Sequence, residues 1–236
     1  MTLPQMLARN TLFADLHPDE LQDLAARMHR VELKSRATVF RQGDAADHCY
    51  VVLSGLLKVV LVNEEGSETV LSLLGPGTTF GEIALLDRQP RSATVSCHER
   101  SELAWIDRQS FVSFLDQHPY VRDKLIVALC QRVRTLTERV EHLSVLDVAA
   151  RLARTLLALA DAHGTELQGR RYLTLKISQG ELGGMVGASR ESVNKLLRSW
   201  TDSGAIDIVD GRLQLLNPAA LEHIAAPVLA QGMEES

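Results

Sequence analysis

The chain has 236 residues, of which 45% are hydrophobic and 23% are charged. This composition is typical of one large or two ordinary globular domains and excludes a disordered protein. Its net charge of −5 excludes a uniformly basic nucleic-acid coat but leaves a local basic surface open. The N-terminus lacks a secretion-signal pattern and no apolar run reaches membrane-spanning length, so we expect a cytoplasmic protein without a membrane partner.

Cysteine and histidine spacing points away from disulfides and metals. Cys49, Cys97 and Cys130 are odd in number and widely separated, which favours reduced thiols. The eight histidines form no HxH or HxxxH pair. We therefore predict no metal site.

The N-terminal half changes its pattern near residue 35. Residues 1 to about 33 predict helix, because apolar side chains recur at steps of three and four and Pro18 suits a first helical turn. Short apolar runs separated by glycines then predict strands, with residues 63–66 as a hairpin loop. These runs are Val51–Leu53, Leu56–Val62, Thr69–Leu74, Ala93–Cys97 and Leu103–Ile106. Many short strands predict a small antiparallel roll or barrel.

Within this β-rich region, residues 79–95 read Thr-Phe-Gly-Glu-Ile-Ala-Leu-Leu-Asp-Arg-Gln-Pro-Arg-Ser-Ala-Thr-Val. Gly81 permits a tight bend, and Glu82 can accept a hydrogen bond from a sugar hydroxyl. Arg91 and Ser92 offer a charged fork and a hydroxyl suited to a phosphate. The residues alone leave one alternative, a surface salt bridge between Glu82 and Arg91 on a roll without a ligand.

Residues 119–146 predict one long helix with a narrow apolar seam. In heptad terms the a positions hold Ile126, Val133 and Val140, and the d positions hold Leu129, Leu136 and Leu143. β-Branched residues at a with leucine at d favour a parallel coiled coil between two copies of the chain. The alternative is a helix packed in the core of its own domain.

The C-terminal part combines two short helices with a hairpin. Residues 147 to about 160 predict a helix, 161–171 a polar loop and 172–177 a strand. A capping box at Ser178–Glu181 opens a helix to Val186, Gly187 makes the turn, and Ser189 caps a second helix to about Asp202. Strands at 206–209 and 212–216 flank Asp210-Gly211. This order predicts a winged helix-turn-helix.

The second helix of this motif presents polar side chains on one face. Arg190, Glu191, Asn194, Lys195 and Arg198 point outward, where recognition helices contact base edges in the major groove. Residues 168–198 hold six basic and two acidic residues, a local charge of +4. The alternative is an ordinary solvated helix face.

Taken together, residues 79–95, the long helix and Ser-Arg-Glu-Ser-Val-Asn-Lys at 189–195 resemble the cyclic-AMP receptor protein/FNR superfamily of bacterial transcription regulators. The resemblance covers essentially the whole chain. It implies an α+β fold, with a cyclic-nucleotide-binding, jelly-roll-like β-roll at 1–118, a dimerisation C-helix at 119–146 and a winged helix-turn-helix DNA-binding domain at 147–236. It implies a homodimer that is not an enzyme. The dimer would bind a palindromic TGTGA-like operator in double-stranded DNA and would act with RNA polymerase.

The same resemblance assigns roles to individual residues. In the family, the segment that matches residues 79–95 is the phosphate-binding cassette. Its glutamate, here Glu82, contacts the ribose 2′-OH, and its arginine and serine, here Arg91 and Ser92, contact the cyclic phosphate. The residues assigned to the nucleotide are Gly81, Glu82, Ile83, Ala84, Arg91, Ser92, Leu136 and Thr137. Those assigned to DNA are Lys176, Ser178, Gln179, Ser189, Arg190, Glu191, Ser192 and Lys195.

Two departures from the family pattern limit these assignments. Leu136-Thr137 stands where the cyclic-AMP receptor protein has Thr-Ser reading the adenine amino group, and Leu136 cannot hydrogen-bond. Adenine selectivity is therefore less secure than phosphate binding. Cyclic AMP is still the expected effector, and cyclic GMP, another ligand or ligand-independent action stays open. Gln179-Gly180 stands where the relative has Arg-Gln, which removes one expected phosphate contact.

Other sensor types and one enzyme class are alternatives. An iron–sulfur sensor is disfavoured because an N-terminal cysteine cluster is absent from the sequence. A haem sensor stays open from the residues alone. A cupin-like enzyme on the same roll is a remote alternative, since it would require a cluster of histidines and carboxylates around a metal.

Overall fold

The computed structural model describes residues 1–62, 68–167, 170–173, 176–209 and 211–226. The predicted loop at 63–66 and Asp210 of the predicted hairpin turn lie outside these residues. The chain divides into two compact units, Met1–Val133 and Arg134–Ser236. The boundary falls inside the long helix, so the three-part division at 118 and 146 stays a prediction.

The first unit is a β-roll with helices on one side. It contains, in order, α1 (Leu3–Leu7), α2 (Pro18–Ala26), β1 (His29–Leu33), β2 (Thr38–Phe40), β3 (His48–Ser54), β4 (Leu57–Val62), β5 (Glu68–Leu74), β6 (Thr79–Phe80), α3 (Glu82–Asp87), β7 (Thr94–Cys97), β8 (Ser101–Asp107) and α4 (Arg108–Gln117). The long helix α5 (Pro119–Val145) then continues into the second unit.

The second unit combines helices with a small sheet. Its further elements are α6 (Val148–His163), β9 (Gly164–Leu167), β10 (Arg170–Leu173), α7 (Gln179–Val186), α8 (Arg190–Asp202), β11 (Ile206–Val209), β12 (Arg212–Leu215) and α9 (Pro218–Ala225). The sheet has the antiparallel order β11-β12-β10-β9.

Two antiparallel sheets form the roll, with strand orders β1-β8-β3-β6 and β2-β7-β4-β5. Apolar side chains from both sheets make one shared core that includes Val52, Leu57 and Leu103. A second core joins the β3–β8 sheet to α1, α2, α4 and the start of α5, through residues such as Leu24 and Phe114. The predicted α+β class is confirmed, and the β1-β8-β3-β6 sheet lies between the other sheet of the roll and a layer of helices.

The predicted motifs of the second unit are confirmed where the structure describes them. Ser178 accepts from the backbone N–H of Glu181, whose carboxylate accepts in return from the N–H of Ser178. Gly187 ends α7 in the left-handed conformation, with φ +64°. Ser189 caps α8 by accepting from the N–H of Ser192. Local capping chemistry therefore fixed these boundaries.

Several predicted elements are wrong. The predicted helix does not extend to Leu33, because residues 29–33 form strand β1. This strand pairs with β8 from His29↔Trp105 to Leu33↔Ser101. The strand predicted at 172–177 overlaps β10 (Arg170–Leu173) at residues 172–173; residues 174–175 lie outside the described part of the chain, and residues 176–177 are not in a strand. The predicted polar loop contains β9, which pairs with β10. The sequence reading also missed α3, α4 and α9. For β1, pairing with the distant strand β8 overrode the local pattern, whereas β9 and β10 are neighbours in the chain.

Candidate ligand and DNA-binding sites

The segment around Gly81 turns sharply between β6 and α3. Gly81 has φ +80°, a left-handed conformation that favours glycine. An added Cβ at this position would lie 2.7 Å from Nη1 of Arg91. The backbone and the arginine therefore approach each other as closely as glycine alone allows.

Arg91 is buried beneath this turn, with 4% of its surface exposed. Its Nη1 donates to the Gly81 carbonyl at 2.7 Å and its Nη2 to the His48 carbonyl at 2.5 Å. Its backbone exchanges hydrogen bonds with the β2–β3 loop, from Gly43 N to Arg91 O at 2.8 Å and from Arg91 N to Asp44 O at 2.9 Å. Its Nε is buried without a partner.

Desolvation by burial lowers the pKa of Arg91, while nearby Tyr50, Cys49, Asp47 and Glu82 act in the opposite direction. An arginine guanidinium nevertheless stays protonated in proteins. Burial also raises the pKa of the neighbouring Cys49 thiol. The site therefore holds a permanent positive charge next to a neutral thiol.

Glu82 is fully buried at the start of α3. Its Oε1 forms an ion pair with Nη1 of Arg132 on α5, and Nη2 of Arg132 donates to the Thr79 carbonyl at 2.8 Å. Its Oε2 is buried without a partner. The alternative of a surface salt bridge between Glu82 and Arg91 is wrong, because both side chains are buried and Glu82 pairs with Arg132.

The other predicted nucleotide residues differ in their exposure. Ala84 is buried, and its carbonyl accepts from Arg108 Nη2 at 2.8 Å, while Ile83 and Ser92 are exposed. Leu136 and Thr137 are exposed on the part of α5 that belongs to the second unit. The structure brings Gly81, Glu82 and Arg91 together and leaves the assignment of Leu136 and Thr137 as a prediction.

The heptad seam of α5 is largely exposed. Ile126, Val133, Leu136, Val140 and Leu143 have between 52% and 65% of their surface exposed. Leu129 is an exception, since it is partly buried against the core of the first unit. A helix packed only in its own core would not leave five large apolar side chains of one seam in solvent.

The predicted DNA face lies on α7 and α8. The side chains of Arg190, Glu191 and Lys195 are exposed and fall within an arc of about 140° on α8, at about 100° per residue. Asn194 lies inside this arc, and its Oδ1 accepts from Gln179 Nε2 at 3.1 Å. The outward face predicted for α8 is thus present.

The remaining predicted DNA residues flank this face. The hydroxyls of Ser189 and Ser192 lie 3.0 Å apart at the start of α8, and Ser178 caps α7. Lys176 is exposed just before that cap. The side chains of Arg170 and Arg171, which contribute to the local charge of +4, lie outside the part of the chain whose side chains are described.

The sequence analysis missed several residues that contact Arg91 or Glu82. It gave no role to Arg132, to His48 or to Phe40, whose ring lies under Arg91. Arg132 lies one helical turn before Leu136, which was a usable signal. The His48 carbonyl left none, because a backbone contact does not depend on residue type.

The described residues form neither a metal-binding cluster nor a membrane-spanning helix. No group of three or more His, Cys, Asp or Glu side chains is placed to hold a metal ion. No described helix is long and apolar enough to cross a membrane.

Family models match both parts of the chain. The cyclic nucleotide-binding domain model covers residues 30–118, and the Crp-like helix-turn-helix domain model covers residues 150–224. The CRP-like cAMP-activated global transcriptional regulator of Mycobacterium tuberculosis H37Rv is 30% identical over 215 residues, which are 91% of this chain and 96% of the relative. The chain belongs to the CRP/FNR family.

Further relatives agree with this membership. The cAMP-activated global transcriptional regulator CRP of Escherichia coli O157:H7 is 33% identical over 79% of this chain and 89% of its own length. The c-di-GMP responsive global regulator CLP of Xanthomonas campestris is structurally similar, with a TM-score of 0.73 and 26% identity over 84% of this chain and 99% of that one. This CRP/FNR protein is therefore a cyclic-nucleotide-binding transcription regulator, and its family consists of regulators rather than enzymes.

Replacing Gly81 tests the close approach of Arg91. We expect Gly81→Ala to lose about 1–2 kcal/mol of unfolding free energy from the left-handed backbone, and about 0.5–1.5 kcal/mol more because the guanidinium must leave its carbonyl. Gly43→Ala is the matched control, since Gly43 has φ +86° with open space around its Cβ position. Denaturant unfolding of both variants measures the difference, and equal losses would contradict the contact.

Proposed function

We propose that this protein is a homodimeric regulator whose roll binds cyclic AMP and whose winged helix then reads a palindromic operator. One observation carries the ligand part. Among the described residues of the roll, two side-chain polar atoms are buried without a partner, the donor Nε of Arg91 and the acceptor Oε2 of Glu82. Buried polar groups without partners are rare in folded proteins.

The chemistry of the two atoms complements a cyclic nucleotide. A phosphate oxygen can accept from Nε of Arg91, with charge assistance from the guanidinium. A ribose hydroxyl can donate to Oε2 of Glu82. A cyclic nucleotide carries its anionic phosphate and its ribose hydroxyl on fused rings, so one rigid ligand can satisfy both atoms. Ser92, exposed beside Arg91, would add a hydroxyl donor.

Arg132 supports a link from the ligand to the long helix. It holds Oε1 of Glu82 and the Thr79 carbonyl from α5. A ligand that binds the Glu82 carboxylate shares that group with Arg132, so it changes the contacts that Arg132 makes. Such a ligand shifts the conformation of α5 if it binds one arrangement more tightly than another. The resulting rigid-body change would place two recognition helices one DNA turn apart.

The base of the nucleotide is assigned from the family resemblance. Thr137, on the same helix as Arg132, keeps its predicted role as the purine contact, in its own or the partner subunit. Leu136 offers no hydrogen bond, so cyclic GMP is the second effector to test. RNA polymerase is the further partner that the resemblance implies.

Removal of Arg91 tests the ligand. We expect Arg91→Ala to weaken cyclic nucleotide binding by at least about 1.5–3 kcal/mol, because a charge-assisted phosphate contact is lost. Arg88→Ala is the matched control, since Arg88 is exposed at the end of α3. Calorimetric titration with cyclic AMP and cyclic GMP measures both. Wild-type affinity in Arg91→Ala would refute the assignment.

A charged residue in the seam tests the dimer. We expect Val133→Glu to convert a dimer into a monomer, because it places a carboxylate at an a position of a parallel coiled coil. Val127→Glu is the control, since Val127 is 56% exposed on the same helix but outside the seam. Sedimentation equilibrium at micromolar concentration measures the mass. A monomeric wild type, or a dimeric Val133→Glu protein, would exclude this interface.

Arg190 tests the reading of DNA. We expect Arg190→Ala to cost about 1–3 kcal/mol per half-site on a TGTGA-like palindrome and to relax the choice at one guanine. Half-sites should lie about 34 Å apart. Affinities on the palindrome and on scrambled DNA, at two salt concentrations, measure this. Equal losses on both DNAs, with the salt slope reduced by about one, would make Arg190 a backbone contact.

A control keeps the charge change constant. Arg212→Ala removes the same charge from the exposed wing strand β12, outside α8. We expect this variant to keep the wild-type preference for the palindrome over scrambled DNA. A preference lost equally in both variants would show that the effect belongs to net charge and not to position.

A further inference from the structure

Arg91 is a buried cation without a carboxylate partner in the part of the chain that the structure describes. Its guanidinium donates two hydrogen bonds, to the carbonyls of Gly81 and His48. A buried charge is normally paired, because removal from water is costly. Something other than an ion pair must therefore compensate the guanidinium.

Aromatic rings supply that compensation. The Cζ atom of Arg91 lies 4.1 Å from the ring centroid of Phe40 and 5.9 Å from that of Tyr50. Both distances are within the range of cation–π attraction, about 6 Å. The Phe40 ring is the closer one and provides the main face.

The Phe40 ring is itself held in place. It lies 5.9 Å from the Tyr50 ring and 6.0 Å from the Phe80 ring, between centroids. Tyr50 and Phe80 stack with centroids 5.1 Å apart and an interplanar angle of 16°. The three rings form an aromatic cluster that restricts the orientation of Phe40.

A backbone irregularity aims Phe40 at this position. The pairing of β2 with β7 shifts register between Thr38, opposite Ser96, and Phe40, opposite Val95. Bulges of this kind redirect a side chain and occur often beside functional sites. The sequence pattern of β2 alone would not have placed Phe40 under Arg91.

We propose that Phe40 is a positioning residue for phosphate recognition, a role that rests on the function proposed above. Its ring stabilises the guanidinium of Arg91 without neutralising it. A carboxylate in the same place would cancel the charge and compete with a phosphate for the N–H groups. The ring face leaves the charge of Arg91 and its unpartnered Nε available to the phosphate of a cyclic nucleotide.

Substitution of Phe40 tests this role by titration with cyclic AMP, cyclic GMP and adenosine. Phe40→Leu keeps an apolar side chain but loses the ring face, and we expect it to weaken both cyclic nucleotides by about 2- to 30-fold. Adenosine carries no phosphate, so its competition constant should not change. Phe40→Tyr keeps a ring face and should restore most of the affinity.

Phe111→Leu is the control for a general loss of packing. Phe111 is 1% exposed in the helical core of the same unit, away from the three rings. We expect it to lower stability and leave both affinities unchanged. Equal weakening of adenosine and the cyclic nucleotides by Phe40→Leu, or failure of Phe40→Tyr to restore affinity, would overturn the positioning role.

The wild-type titration separates this inference from the proposed function. A wild-type protein that binds neither cyclic nucleotide refutes the proposed ligand, and the role of Phe40 falls with it. A wild-type protein that binds, together with a Phe40→Leu variant of equal affinity, overturns the role of Phe40 alone.

Discussion

Two ionised side chains, Arg91 and Glu82, lie inside the first unit, and their burial carries a cost that the surrounding structure must offset. Arg91 is compensated by two carbonyls and an aromatic face. Glu82 is compensated by Arg132, which reaches it from the long helix. These two charges therefore connect strand β3, the turn at Gly81 and helix α5. The compensation is incomplete, since each side chain keeps one unpartnered buried atom.

This incomplete compensation connects stability with binding. A protein that paired Glu82 with Arg91 directly would neutralise both charges and leave little affinity for an anionic ligand. Here the two charges are held apart by separate partners. The ion pair with Arg132 also joins the start of α3 to the middle of α5. The exposed apolar seam begins on that same helix.

The second unit relies on a different kind of constraint, in which short-range caps fix each helix. Ser178, Ser189 and Asn217 each accept from a backbone N–H at the first turn of α7, α8 and α9. The apolar side chains Val193, Leu197 and Trp200 bury the inner face of α8. The outer face is then left polar and fixed in direction, which a reader of base edges requires.

Local signals in the amino-acid sequence were sufficient to predict part of the structure. They predicted the long helix and the capped helices of the helix-turn-helix, because capping and heptad spacing depend on neighbouring residues. The segment with Gly81, Glu82 and Arg91 stood out by its residue order, and its binding role stays a prediction. Local signals failed for β1, which forms by pairing with the distant strand β8, and for β9, which pairs with its neighbour in the chain, β10. The ion pair of Arg132 with Glu82 and the contact of Phe40 with Arg91 are visible only in the folded chain. Those contacts join residues about 50 positions apart, and their energy appears only when the chain has closed around them.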